Sequence, residues 1–169
     1  GLAWRFLNGY LRQTGDYAGP ELLDYYLVYR ALVRAKVAIL RLAQPGLDMA
    51  EQQAVREEYQ SYMDLASECA GSRRRALIIT HGLSGSGKSW YAERLVERLG
   101  AFRIRSDVER KRLYGYSPQA DTASAIGSGI YTAAAGMRTY DQLARLARHG
   151  IDAGYPVIID ATFLGREQR

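Results

Sequence analysis

The chain has 169 residues, 47% of them hydrophobic and 24% charged, the balance of a globular protein of one domain or parts of two. Its most apolar long stretch, residues 22–42, is interrupted by Arg30, Arg34, Lys36 and Arg41, each costly in hydrocarbon, so no membrane span is expected, and no signal-peptide pattern opens the sequence. The net charge of +5 is unevenly divided: residues 1–72 carry 7 basic and 9 acidic side chains, residues 73–169 carry 16 and 9. The basic half implies phosphorylated ligands; it admits nucleic acid as a partner but is no more basic than a phosphate-handling enzyme requires.

The first 72 residues read as helical. Residues 2–12 form a short apolar-rich segment, 15–20 a turn, and 21–43 a long helix that stops before Pro45 and Gly46. Asp48 and Glu51 then have the spacing of a capping box, opening a helix on which Val55, Tyr59, Tyr62, Ala66 and Cys69 recur at intervals of four and three. The tyrosines here, Tyr25, Tyr26, Tyr29, Tyr59 and Tyr62, read as amphipathic core filler. Cys69, the single cysteine, excludes an internal disulfide; as a packed thiol on an apolar stripe it suits a reducing cytoplasm.

A composition shift at residues 70–75 marks a boundary, beyond which the pattern becomes that of an α/β domain with a parallel sheet. Residues 75–81 are of strand length and rich in β-branched side chains. Residues 82–89 read Gly-Leu-Ser-Gly-Ser-Gly-Lys-Ser, and residues 90–99 have apolar side chains at helical spacing, stopped by Gly100. Residues 101–105 alternate apolar and basic as a second strand does. Residues 106–113 begin a helix with Ser106 or Asp107 at its cap, and residues 115–129 form a loop with short helical pieces. Thr132 caps a helix running to about Ala153 despite Gly136 and Gly150, each costing up to about 1 kcal/mol relative to alanine. Residues 156–160, Pro-Val-Ile-Ile-Asp, are a buried third strand ending in a carboxylate.

Residues 82–89 match the phosphate-binding loop G-x-x-x-x-G-K-[ST] in full. Strand, glycine-rich turn and helix N-terminus aim backbone N–H groups and a helix dipole at an anion, and Gly85 and Gly87 admit positive φ without strain. The nucleotide-contacting set is Gly82, Leu83, Ser84, Gly85, Ser86, Gly87, Lys88, Ser89 and Trp90. Lys88 supplies a cation to the β- and γ-phosphates and Ser89 a hydroxyl to Mg²⁺. Asp160, at the carboxyl end of its strand, has the placement of a residue that orients Mg²⁺ or its water shell. Asp107, just after the second strand, faces the same crevice and has the chemistry to accept a proton from a hydroxyl attacking the γ-phosphate; it also suits a helix cap. Arg110, one turn on, is placed to hold an anionic substrate or the transferring phosphoryl group, while Arg105, Lys111 and Arg112 read as surface charges.

Three stretches together, residues 82–89, 105–112 and 157–163, resemble the small P-loop kinases of the polynucleotide-kinase and zeta-toxin type, ATP-binding proteins of the AAA kind. The resemblance implies that ATP and Mg²⁺ are bound, that Lys88 and Ser89 are the loop's lysine and hydroxyl, that Asp107 is the general base and that Arg110 is its companion arginine. Residues 4–11 and 25–37 are similar to the last helices of an aminoglycoside-phosphotransferase-like domain fused ahead of such a kinase. The expected division is thus a helical segment at 1–72 and the first part of a kinase domain at 73–169. Without Met at its start, and ending soon after a third strand, the chain reads as a fragment that is inactive alone. No Asn-Lys-x-Asp or Asp-x-x-Gly follows Ser89, against a GTPase. The readings that stand are a kinase acting on a hydroxyl of a small molecule or nucleic-acid end, and a noncatalytic ATP-binding regulatory module; a sensor needs no base such as Asp107.

Overall fold

The computed structural model describes residues 1–71, 74–121 and 129–169. Its elements are α1 (Leu2–Thr14), α2 (Leu23–Leu42), α3 (Met49–Ala70), β1 (Leu77–Ile79), α4 (Lys88–Leu99), β2 (Phe102–Arg105), α5 (Ser106–Leu113), α6 (Ala133–Asp152) and β3 (Val157–Asp160). They group into two compact units, Gly1–Gly19 with Arg73–Arg169, and Pro20–Ser72. The division differs from the one expected at residue 72, because α1 packs with the sheet. Of the loop expected at 115–129, residues 122–128 lie outside the described residues, as does Arg73.

The unit Pro20–Ser72 is a helical hairpin. α2 buries Ala31, Ala35 and Ala38, small side chains at four- and three-residue intervals that let helix backbones approach closely, and α3 buries Val55, Ala66 and Cys69. Arg34 Nε donates to Tyr62 Oη at 3.1 Å. The Asp48–Glu51 capping box is present in both directions. Tyr25, Tyr26 and Tyr29 stand exposed and not in a core as their spacing suggested, because alanines occupy the buried stripe of α2.

The other unit is an α/β fold. Among the described residues it has three strands, parallel in the order β1-β3-β2, with Ile79 opposite Ile159 and Arg105 opposite Asp160. β3 is central and buried along its whole length, which explains its unbroken apolar run. On β2, Phe102 and Ile104 are buried on one face, while Arg103 and Arg105 alternate to the other and are only partly buried. The β2 edge is covered by α1. Asn8 there accepts from the Arg103 N–H at 2.7 Å and donates to the Ala101 carbonyl at 3.0 Å and the Trp4 carbonyl at 2.9 Å. One side-chain amide thereby pairs the edge strand as a neighbouring strand would. Trp4 lies 6.2 Å from Phe102 and 5.8 Å from Tyr155 between ring centroids. α1 is held at its other end by Tyr17, whose buried hydroxyl donates to Glu109 at 3.1 Å, and by Arg112, which pairs with Glu109 and donates to the Arg12 carbonyl at 2.6 Å. Arg112 is therefore structural.

The two glycines of α6 do different things. A Cβ at Gly150 would lie 2.6 Å from Val157 Cγ2 and 3.2 Å from Phe102, whereas one at Gly136 would meet nothing within 4 Å. Gly150 thus permits close helix–sheet packing. Gly150→Ala is expected to destabilise the chain by about 1–3 kcal/mol through overpacking, and Gly136→Ala to stabilise it by up to about 1 kcal/mol through helix propensity; opposite shifts in urea midpoint check the pair.

Burial, followed by the neighbouring Glu109 charge, pushes the Tyr17 phenol well above its ordinary range. The folded state therefore favours the protonated ring, and this contribution is complete below the usual tyrosine pKa of about 10 and lost as pH rises above it. Thermal midpoints measured between pH 8 and 12 (a range bracketing that value of about 10) should fall less steeply for Tyr17→Phe than for the native chain.

Candidate nucleotide site

The pairing of β1 with β3 continues past both strands and anchors the glycine-rich loop. The Thr80 N–H donates to the Ile159 carbonyl and the Gly82 N–H to the Thr162 carbonyl, each at 3.1 Å. Thr80 Oγ1 donates to the Ala161 carbonyl at 2.7 Å and accepts from its N–H at 3.1 Å. Thr162 is set by Tyr140, whose hydroxyl lies 3.2 Å from Thr162 Oγ1 and accepts from the N–H of Phe163 at 3.2 Å. Phe163 has φ 45°, an uncommon conformation for a side-chain-bearing residue, and it sits directly beside the cleft.

Gly85 and Gly87 both have φ 81°, and no atom lies within 4 Å of a Cβ built on either. Gly87 is the N-cap of α4, with no side chain capping the helix, so the first turn presents its N–H groups to an anion. Lys88 Nζ folds back over the loop, donating to the Leu83 carbonyl and, at 3.3 Å, to Ser86 Oγ. Ser89 Oγ donates to Asp160 Oδ2 at 2.8 Å. The same oxygen accepts from Arg103 Nη2 at 2.5 Å and Nε at 3.1 Å, and Asp160 is only 6% exposed. Arg105 grips Asp107 with two bonds, Nε to Oδ1 at 3.1 Å and Nη2 to Oδ2 at 2.7 Å.

Ser84, Gly85, Gly87, Lys88, Ser89, Asp107 and Asp160 line one cleft of about 460 Å³ at the carboxyl ends of the strands, joined by Arg105, Ser106, Ala161 and Thr162. Gly82, Leu83 and Ser86 belong to the loop without lining the cleft. Two expected site residues stand elsewhere. The Trp90 N–H is taken by the Gly87 carbonyl at 3.0 Å and its half-exposed ring lies under Arg94, 3.5 Å from guanidinium carbon to centroid. Arg110 turns toward α6, its Nε 3.4 Å from Thr139 Oγ1 and its guanidinium 5.0 Å from the Tyr131 ring centroid. The cap expected at Ser106 or Asp107 is also corrected: Arg105 is the N-cap of α5, no side chain makes a cap bond, and Asp107 lies in the first turn. Arg103 and Arg105 are the residues sequence reasoning missed. The alternation of β2 was the available signal, since it puts both on one face.

The donor set fits the ligands that such a loop implies. The open glycine turn and uncapped helix suit phosphate oxygens, and the Ser89 hydroxyl with the Asp160 carboxylate offers the oxygen ligands a hard cation prefers. Among the described residues no group of three or more His, Cys, Asp or Glu is arranged to hold a metal, so a cation here draws its remaining ligands from phosphates and water. Nor, among the described residues, is any helix long and apolar enough to cross a membrane.

Loop, parallel sheet and strand-end carboxylate define a nucleotide-binding unit of the P-loop α/β class. A family model described as an AAA domain matches residues 77–169, and the chain belongs to that family. It is also similar to uncharacterized proteins of Mycobacterium bovis and of Mycobacterium tuberculosis strains CDC 1551 and H37Rv. Each is 34% identical over 158 residues, covering 94% of this chain and 30% of the relative. The chain thus spans about a third of the length of those relatives. No solved structure matches it.

The Arg103–Asp160 pair dictates a stability test. Asp160→Ala leaves a nearly buried guanidinium without its carboxylate, and breaking a buried pair in this way costs about 3–5 kcal/mol. A lowered thermal midpoint is expected, with most of the loss recovered when Arg103→Met is added; equal midpoints for the single and double variants would contradict it.

Proposed function

We propose that the chain carries the nucleotide site of an ATP-dependent kinase, acting in the cytoplasm, that moves the γ-phosphoryl group of ATP to a hydroxyl on a small molecule or, less favoured by the modest basic charge, a nucleic-acid end. The observation that supports this best is the convergence of Lys88, Ser89, Asp160 and Asp107 on one cleft. Bound with ATP, Mg²⁺ would contribute charge neutralisation at the phosphates; Ser89 and Asp160 are the residues to hold it. The loop N–H groups and the start of α4 orient the phosphates. Lys88, whose partners among the described residues are a carbonyl and a hydroxyl of its own loop, can exchange them for phosphate oxygens and stabilise charge as it develops. Asp107, half exposed at the cleft, accepts the acceptor's proton as its oxygen attacks. Arg105 fixes the orientation of that carboxylate, each oxygen receiving one N–H and retaining a lone pair. Arg110, turned toward α6, would have to leave Thr139 and the Tyr131 ring to reach the acceptor. We further propose that residues 1–72 are the end of an aminoglycoside-phosphotransferase-like domain, with α1 packed on the nucleotide unit.

The bidentate Arg105–Asp107 pair also supports a second reading, a noncatalytic nucleotide-binding module, because it gives Asp107 a structural reason to be present. Asp107→Asn separates the two. A kinase should retain ATP affinity and lose roughly two to four orders of magnitude in transfer rate, measured with labelled ATP against a library of hydroxyl acceptors in the full-length protein. Undiminished transfer in the variant would remove Asp107 as the base.

A further inference from the structure

A second cavity in the same unit, about 220 Å³, lies between α1, α4 and β2. Four arginines line it: Arg5 and Arg12 from α1, outside the residues that match the family, and Arg103 and Arg105 from β2. One carboxylate, Glu93, is in the lining, 4.0 Å from Arg103 Nη1 and itself largely exposed. Arg5 is shared with Glu97 at 3.4 Å, Arg103 with Asp160 and Arg105 with Asp107. Those pairs leave donors over, because a guanidinium carries five N–H groups and the bonds to Asp160 and Asp107 occupy only Nε and Nη2 of each. The Arg12 guanidinium makes no ion pair or hydrogen bond among the described residues.

The cavity floor is Gly9, in the middle of α1, where a Cβ would meet nothing within 4 Å. Glycine inside a helix costs about 1 kcal/mol relative to alanine, and packing does not require it here. The space beside it is open enough to admit a methyl group and is closed only by a larger side chain. A cavity of this size is smaller than the roughly 300–1,000 Å³ of drug-sized pockets and has the dimensions of a phosphate group with part of what bears it. Planar N–H forks converging from two elements are the donors that phosphate oxygens take best.

We propose that this cavity is a phosphate-binding site separate from the loop, taking a phosphate monoester through Arg5, Arg12 and the spare donors of Arg103 and Arg105. Arg105 lines both this cavity and the nucleotide cleft, so the phosphate is seated next to the reacting groups. Two sources share that chemistry: a phosphate already on the acceptor, or a phosphorylated effector. The site goes beyond the kinase reading and needs only that the loop bind nucleotide.

The test uses the full chain with its cleft saturated by Mg²⁺ and a nonhydrolysable ATP analogue, titrated with inorganic phosphate in a calorimeter. One further equivalent should bind, weakened about tenfold by Arg12→Ala and by Gly9→Glu, the worth of one charge-assisted bond, while Gly9→Ala binds as the native chain does and reports that the helix is intact. Transfer by the full-length protein to hydroxyl compounds with and without a phosphate then assigns the source. An acceptor's phosphate makes Arg12→Ala raise KM for phosphorylated acceptors alone; an effector's makes added phosphate change turnover with every acceptor. No second equivalent, or one indifferent to both Arg12→Ala and Gly9→Glu, overturns the proposal. Failure of the kinase reading would leave the titration standing, since no transfer enters it.

Discussion

Asp160 ends the central strand, and a carboxylate so nearly removed from water costs several kcal/mol in lost hydration unless its oxygens are partnered. The partners come from two other elements. Ser89 reaches it from the first turn of α4, and Arg103 reaches it from β2. This requirement ties helix, edge strand and central strand together at one point, so the glycine turn that precedes α4 inherits its position from a charge it does not touch. Arg103 and Ser89 engage the same oxygen of Asp160, Oδ2, so the carboxylate that the cleft presents already carries a resident cation.

The rest of the unit keeps that point rigid. Gly150 allows α6 to settle onto Val157 and Phe102, closing one face of the sheet. On the β2 edge, Asn8 and Trp4 supply what a further strand would otherwise provide: paired backbone groups and apolar cover. Strands of three and four residues hold little pairing of their own, so these side-chain contacts carry much of the register that brings Arg105 level with Asp160.

The order of elements was legible in the sequence because it rests on local signals: the apolar run ending in Asp160, the alternation of β2, the caps at Asp48 and Thr132, and a loop motif whose glycines have one structural meaning. Lys88, Ser89, Asp107 and Asp160 could be gathered from topology alone, since parallel strands bring their carboxyl ends to one crevice. What could not be read depends on long-range packing. The amide of Asn8 finds a strand edge 93 residues away, and nothing in the neighbourhood of residue 8 signals this. Arg110 was placed by its one-turn spacing from Asp107, but α6 offers it Thr139 and an aromatic face. Trp90 follows the motif directly, yet helical geometry carries its ring round to Arg94. The tyrosines of α2 have core spacing, yet the buried stripe is taken by alanines.

The unit that holds the cleft is discontinuous, with residues 20–72 spliced between α1 and β1. Translation releases the chain from its amino end, at about 5–20 residues per second. α1 therefore emerges with the strand-edge bonds of Asn8 unmade, and the residues that complete them follow 93 residues later, a wait of roughly 5–20 s at that speed. During that interval all of residues 20–72 has been synthesised and the nucleotide unit has not. Within these residues the hairpin can therefore pair before the unit that surrounds it in sequence, and α1 finds its place only once a strand made after the insertion is available.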